Sequence, residues 1–214
     1  MIIAVDGPAA SGKGTIARRL AAHLNLPYLD TGLLYRGVAQ AVLQHDPSGQ
    51  DAVGAAEAAR RLDVSQLDGE ALRSAAVGAM ASVVAAMPEV RAALFEVQKN
   101  FAAQPKGAIL DGRDIGTVIC PQADLKLFVT ANSDVRAHRR YLELRKRGES
   151  IEESTVLEDI RQRDARDQSR AAAPLIKSPD AVLLETSNLD IEAAFRAALA
   201  EVERVVLARS AKPR

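Results

Sequence analysis

Gly7-Pro-Ala-Ala-Ser-Gly-Lys13 puts two glycines five residues apart and a lysine directly after the second. An apolar run, Ile2-Ile-Ala-Val5, precedes it and reads as a short buried strand. Ile16, Ala17, Leu20 and Leu24 follow at helical spacing. Strand, glycine loop and helix form the context in which this spacing cradles phosphate. Gly7, Pro8, Ala9, Ala10, Ser11, Gly12, Lys13, Gly14 and Thr15 would wrap one anion with successive backbone N–H groups. The helix N-terminus adds partial positive charge. Lys13 would bring an ammonium to the terminal phosphates of a nucleoside triphosphate.

Other candidates also follow apolar runs. Ala108-Ile-Leu110 leads into Asp111-Gly-Arg-Asp114. An acid in that place is where a phosphate-loop protein orients the waters of magnesium, so Asp111 is the metal candidate; a plain Asp-Gly turn is the simpler reading. Pro27-Tyr-Leu29 leads into Asp30 and Thr31, either of which could cap the next helix. Thr31 with Arg36 one turn in could equally be a second anion site. Further on, nine arginines fall within 35 residues, from Arg136 to Arg170. Interleaved acids allow ion pairs on helix surfaces as one explanation. Arg163, Asp167 and Arg170 fit that less well, since their spacing puts them on one helical face able to grip phosphate and sugar together.

These groups need a frame. Leu125–Thr130 and Ala181–Leu184 complete five short strands alternating with helices, which predicts a parallel sheet with helices on both faces. Ligands then sit at the carboxyl ends of the strands. Residues 1–46, 107–132 and 172–214 form the expected core. Residues 47–106 show no strand and read as a helical insertion, with helical periodicity over Ala52–Leu62, Glu70–Met80 and Val83–Phe101 and turns at Asp68-Gly69 and Met87-Pro88. Residues 133–171 carry the arginine-rich helices, broken at Gly148 and expected to act as a lid. Ser210–Arg214 reads as a tail.

Composition narrows the classes. Of 214 residues 48% are hydrophobic, and 28 basic residues balance 28 acidic ones. That argues against a general nucleic-acid or membrane binder. The single Cys120 excludes an internal disulfide framework and suits a reducing compartment. No apolar run approaches a membrane span, and Ile2–Val5 is too short for a signal peptide, so a cytoplasmic protein is expected. A nucleotide-regulated switch would need a guanine-reading Asn-Lys-x-Asp, which is absent.

The loop departs from the commonest form: Gly14, not Ser or Thr, follows Lys13, and the hydroxyl comes at Thr15, leaving Thr15 a weak metal ligand. Gly-Lys-Gly-Thr is the form of nucleoside monophosphate kinases of the adenylate kinase type. Over nearly its whole length the chain resembles the bacterial cytidylate kinases. The resemblance rests on Val5–Thr15, Leu29–Arg36, Asp111–Val118, Ala137-His-Arg-Arg140 and Arg163–Leu175. It implies a P-loop fold of the nucleoside monophosphate kinase type and transfer of the γ-phosphoryl group of ATP, with Mg2+, to CMP or dCMP. It implies that Thr31 and Arg36 meet the acceptor, that Ser82, Arg91 and Asp114 read cytosine, and that Arg113 contacts the acceptor phosphate. Arg163 and Asp167 would bind the sugar side and Arg170 phosphate, so that Lys13, Arg113, Arg163 and Arg170 carry the catalytic charge. It also implies a monomer. Relatives often carry a small antiparallel sheet before the Ser82 helix; here only Asp63–Ala75 spans that gap, so the insertion is shortened. A kinase for UMP, AMP or a non-nucleotide alcohol is the nearest rival, and an RNA binder using the arginine helices is the remaining one.

Overall fold

The five apolar segments form one parallel sheet in the order β2-β3-β1-β4-β5. These are β1 (Ile2–Asp6), β2 (Tyr28–Asp30), β3 (Ala108–Gly112), β4 (Leu125–Thr130) and β5 (Val182–Glu185). In this computed structural model residues 1–210 are described; of the expected tail Ser210–Arg214, Ser210 ends the last helix and the remainder lies outside the described residues. β1 is central: Val5 stands opposite Asp111 on one side and Leu127 on the other. Asp30 stands opposite Asp111. The register therefore brings the loops after β1, β2 and β3 out at one edge, the ligand edge of such a sheet.

Alternation along β1 fills two cores. Ile3 and Val5 face Ile16 and Leu20 of α1 (Lys13–Leu24) and Ala198 and Val202 of α8 (Ile191–Ser210). Ala4 faces the other way, onto Leu34 and Val38 of α2 (Thr31–His45) and Val90 and Leu94 of α5 (Pro88–Ala102). All of these side chains are buried, and truncating one such leucine to alanine costs about 2–5 kcal/mol.

Between α2 and β3 the chain is helical, with α3 (Ala52–Arg60), α4 (Ala75–Val84) and α5, joined by 3-10 turns at Val64–Gln66 and Ala71–Arg73. The expected boundaries move. Ser74 caps α4 by accepting from the Val77 N–H, so that helix starts later than Glu70, while the break between α4 and α5 comes at 85–87, beside the turn expected at Met87-Pro88. Pro88 explains this: it lacks an N–H and starts α5 at its first position, where none is needed. α6 (Ser133–Lys146) and α7 (Glu153–Ser169) pair through a small core of their own, Ala137, Leu144, Val156 and Ile160. No single helix among the described residues is long and apolar enough to cross a membrane.

Candidate active site

The glycine loop leaves β1 through Gly7, whose φ of +151° and closeness to β4 both require glycine: a Cβ there would stand 1.9 Å from the Val129 carbonyl oxygen. Ala10 (φ 58°) and Gly12 (φ 88°) take left-handed conformations that turn the chain into α1. Lys13 Nζ donates to the Pro8 carbonyl at 3.3 Å. Burial and the nearby Arg113 guanidinium push its ammonium down to about 7, while Asp111 and Asp30 oppose the fall. Ala9, Ala10, Gly12, Lys13, Gly14 and Thr15 line a cleft of about 310 Å³. Gly7, Pro8 and Ser11 do not line it. The Ser11 carbonyl accepts from Thr186 Oγ1 at 2.9 Å, and its own buried Oγ has no hydrogen-bond partner among the described residues.

Asp111 lines the same cleft from β3. It accepts from the Tyr28 hydroxyl at 2.8 Å. Burial and the Asp30 carboxylate push it up to about 7. It is therefore a buried carboxylate facing Lys13, not merely the first residue of a turn. The capping alternatives at Asp30 and Thr31 also resolve. Asp30 holds the cap position of α2 without a side-chain hydrogen bond. Thr31 Oγ1 donates to the Asp111 carbonyl at 2.8 Å, which leaves its lone pairs for an acceptor-side ligand. Arg36 lines the cleft and donates to Leu72 O at 2.9 Å.

A second, smaller cavity of about 40 Å³ opens beside the first. Thr31, Ser82, Arg91, Arg113, Asp114, Asp167, Arg163 and Arg170 all line it. Gly112, Arg113 and Arg163 belong to both cavities, so the two meet there. Arg91 pairs directly with Asp114 Oδ2 and also donates to Ala85 O at 3.2 Å. Asp114 Oδ1 has Arg170 Nη2 3.9 Å away, beyond hydrogen-bond reach. Burial raises the Asp114 carboxyl against the pull of Arg91. Arg113 Nε donates to Asp167 Oδ2 at 2.8 Å. Burial works against the charge on Asp167, but Arg113 and Arg163 outweigh it and hold the carboxyl low. Arg163 falls to about 9 through burial and through Arg113. It stays protonated at neutral pH.

Several residues of the site escaped sequence reasoning. Asp6, at the end of β1, accepts from the backbone N–H groups of Ile115 (2.8 Å) and Gly116 (2.7 Å). It thereby fixes the π-helical turn Ile115–Ile119 that follows Arg113 and Asp114. The signal was available, because an acid directly after a buried strand had marked Asp111. Arg166 donates to Ser82 Oγ at 3.2 Å and lines the cleft with Arg140 and Arg73. Its spacing from Arg163 pointed to the same helix face. His23, His45 and His138 are exposed, and none lines either cavity. Cys120 is buried away from both.

Together the cavities gather ten cationic side chains against six acidic ones, within a chain of zero net charge. Among the described residues, Arg163 Nε and Arg170 Nη2 are buried donors without a hydrogen-bond partner. Such groups cost about 1–3 kcal/mol each unless a ligand satisfies them. The arrangement suits two anions held end to end across Arg113 and Arg163.

A family model described as cytidylate kinase matches residues 3–204. The cytidylate kinase of Xanthobacter autotrophicus is 64% identical over 203 residues, covering 95% of this chain and 97% of that protein. That of Methylocella silvestris is 63% identical over 203 residues, covering 95% and 94%. Among solved structures, an uncharacterized protein from Eubacterium ventriosum has a TM-score of 0.57 at 17% identity, covering 95% of this chain and 98% of that one. A gluconokinase from Sinorhizobium meliloti has a TM-score of 0.50 at 13% identity, covering 99% and 97%. At such identities these two share the fold alone. The family model and the curated relatives each extend over nearly the whole chain, and on that ground the chain belongs to the cytidylate kinase family.

Proposed function

We propose that the chain transfers the γ-phosphoryl group of ATP to CMP or dCMP, giving ADP and CDP or dCDP. The observation that carries this is the meeting of the two cavities at Arg113 and Arg163, with the phosphate loop on one side and the Arg91–Asp114 pair on the other. ATP lies in the larger cleft along Ala9–Thr15, its terminal phosphates at Lys13. The acceptor lies in the smaller one. Asp114 Oδ1 accepts from the exocyclic amine of cytosine, and Arg91 donates to its ring acceptors. Ser82 supports that edge. Arg163 and Asp167 take the sugar side. Arg36, Arg113 and Arg170 hold the acceptor phosphate, with the Thr31 hydroxyl beside it.

An acceptor phosphate oxygen attacks the γ-phosphorus in line. It is anionic near neutral pH, so no general base is needed. Catalysis is then positioning and charge neutralisation by Lys13, Arg113, Arg163 and Arg170. The donor set also fits a metal that travels with its nucleotide. Asp111 and Asp30 face Lys13, Thr15 sits exposed at the mouth, and no cluster of three metal-ligating side chains exists among the described residues. Mg2+ keeps several waters and takes one or two carboxylates plus phosphates, so Asp111 would hold it through water. When bound, Mg2+ supplies neutralisation of the charge on the transferring phosphoryl group.

Residues 47–106 act as the acceptor-binding insertion and residues 133–171 as the lid, on a core of 1–46, 107–132 and 172–214. The shortened segment 63–75 still reaches the lid: Arg140 donates to Arg73 O at 3.0 Å and Arg147 to Glu70 Oε2 at 2.8 Å. UMP and AMP fit less well, since uracil would turn a carbonyl toward Asp114. A monomeric, cytoplasmic enzyme agrees with this reading. ADP formation from ATP, Mg2+ and CMP tests it. The expected result is turnover that requires CMP and stops with EDTA; ADP release indifferent to CMP would overturn it.

A further inference from the structure

Arg136 lines neither cavity, yet its buried guanidinium joins three parts of the molecule. Nε donates to Ala131 O at 2.8 Å, where β4 leads into α6. Nη1 donates to Ala9 O in the phosphate loop at 3.3 Å. Nη1 and Nη2 also grip Asp164 of α7 in a fork, at 3.1 and 2.6 Å. Asp164 directly follows Arg163 and stands one turn before Asp167, the two residues of α7 that reach the acceptor cavity. The loop touches this pair of helices a second time, since Ala10 packs on the small core between α6 and α7.

A plain staple between α6 and α7 would explain the fork but not the bond to Ala9. The two helices already share an apolar core. What the guanidinium adds is a rigid plane whose orientation depends on both the Ala9 carbonyl and the Asp164 carboxylate. Anything that sets the loop backbone therefore bears on α7. Resting on the function proposed above, we infer that Arg136 and Asp164 are positioning residues that couple the two substrate sites: phosphates seated in the loop hold Ala9, Arg136 follows, and Asp164 presents Arg163 and Asp167 to the acceptor.

Calorimetric titration of CMP, with and without β,γ-methylene-ATP and Mg2+, reads this coupling directly. In the wild-type protein the analogue should tighten CMP about tenfold, a usual size for coupling between sites. In Arg136→Lys, which keeps the charge but loses the fork, and in Asp164→Asn, the ratio should fall to about one to twofold. CMP affinity without the analogue should stay within about threefold of wild type. A merely structural pair would lower thermal stability and leave the ratio alone. Should Arg136→Lys fail to fold, Asp164→Asn decides, because its side chain is partly exposed. A wild-type ratio near one, or variants that keep the wild-type ratio, would overturn the coupling while leaving the acceptor assignment intact. Absence of CMP binding to the wild-type protein would overturn the acceptor assignment and this inference with it.

Discussion

Asp114→Asn changes one oxygen to an amide and leaves the volume of the site unchanged. Its consequences follow from the neighbours. Asp114 Oδ2 is taken by Arg91, and the two side chains are 6% and 10% exposed, so water compensates little for a loss. The asparagine oxygen keeps the bond to Arg91, because the guanidinium can only donate. Its NH2 must then replace Oδ1 and face the base. Against cytosine, one donor meets another and a charge-assisted hydrogen bond is lost, costing about 1.5–3 kcal/mol. Against uracil, the same NH2 finds a carbonyl and gains about 0.5–1.5 kcal/mol. The ratio of kcat/KM for CMP over UMP should therefore fall by about 2–4 kcal/mol, roughly 30- to 1,000-fold. Arg91 and Arg170 also lose a buried counter-charge, so thermal stability should drop as well. Steady-state rates with each acceptor at saturating ATP supply the ratio, and a melt confirms that the variant is folded. A folded Asp114→Asn protein whose ratio stays within about threefold of wild type would show that Asp114 does not read the base.

Further outcomes can be stated from the same geometry. Lys13 titrates near 7 because it is buried beside Arg113, so at pH 8 much of it is deprotonated. Seating ATP in EDTA at that pH should draw up to about one proton, seen by calorimetry in buffers of different ionisation heat, and Lys13→Met should abolish the uptake. Asp6 is raised to about 6 by burial, above its unfolded value, so the folded state holds the extra proton as pH climbs from 4 to 6 and loses stability across that window. Urea midpoints at pH 5 and 7.5 should show wild type losing about 1 kcal/mol relative to Asp6→Asn, and equal pH dependence in both would contradict this. Gly7→Ala would drive a methyl into the Val129 carbonyl, so the variant should be insoluble or melt far below wild type; an unchanged melting temperature would mean that the loop leaves β1 differently.

Legibility followed the range of the interaction. Gly7–Thr15, the five strands and the acid at Asp111 could be read because each is a local pattern of residue type and spacing. The turn at Met87-Pro88 could be read because proline marks it locally, whereas the start of α4 could not, because alanine-rich stripes carry little periodicity and Ser74 decides that end by backbone chemistry. The arginine-rich stretch could be read only as a choice between ion pairs and ligand contacts, and both occur. Arg136 meets Asp164 in a fork, whereas Arg163 and Arg170 each keep, among the described residues, one buried donor without a hydrogen-bond partner at the acceptor cavity. Pairings between residues far apart in the chain leave no local trace. For the same reason zero net charge hid a cleft that is strongly cationic. Asp6 carries a local signal, its place directly after a buried strand, but its role does not, because its partners are backbone N–H groups more than a hundred residues away.

Phosphorylation of cytosine nucleotides at this site rests on reading their base edge. The most direct measurement is a competition: equal CMP and UMP with limiting ATP and Mg2+ in one vessel, with CDP and UDP separated at early times. CDP should form in large excess, and that excess should collapse in Asp114→Asn. Equal CDP and UDP from the wild-type protein, or an excess that survives in the variant, would contradict it.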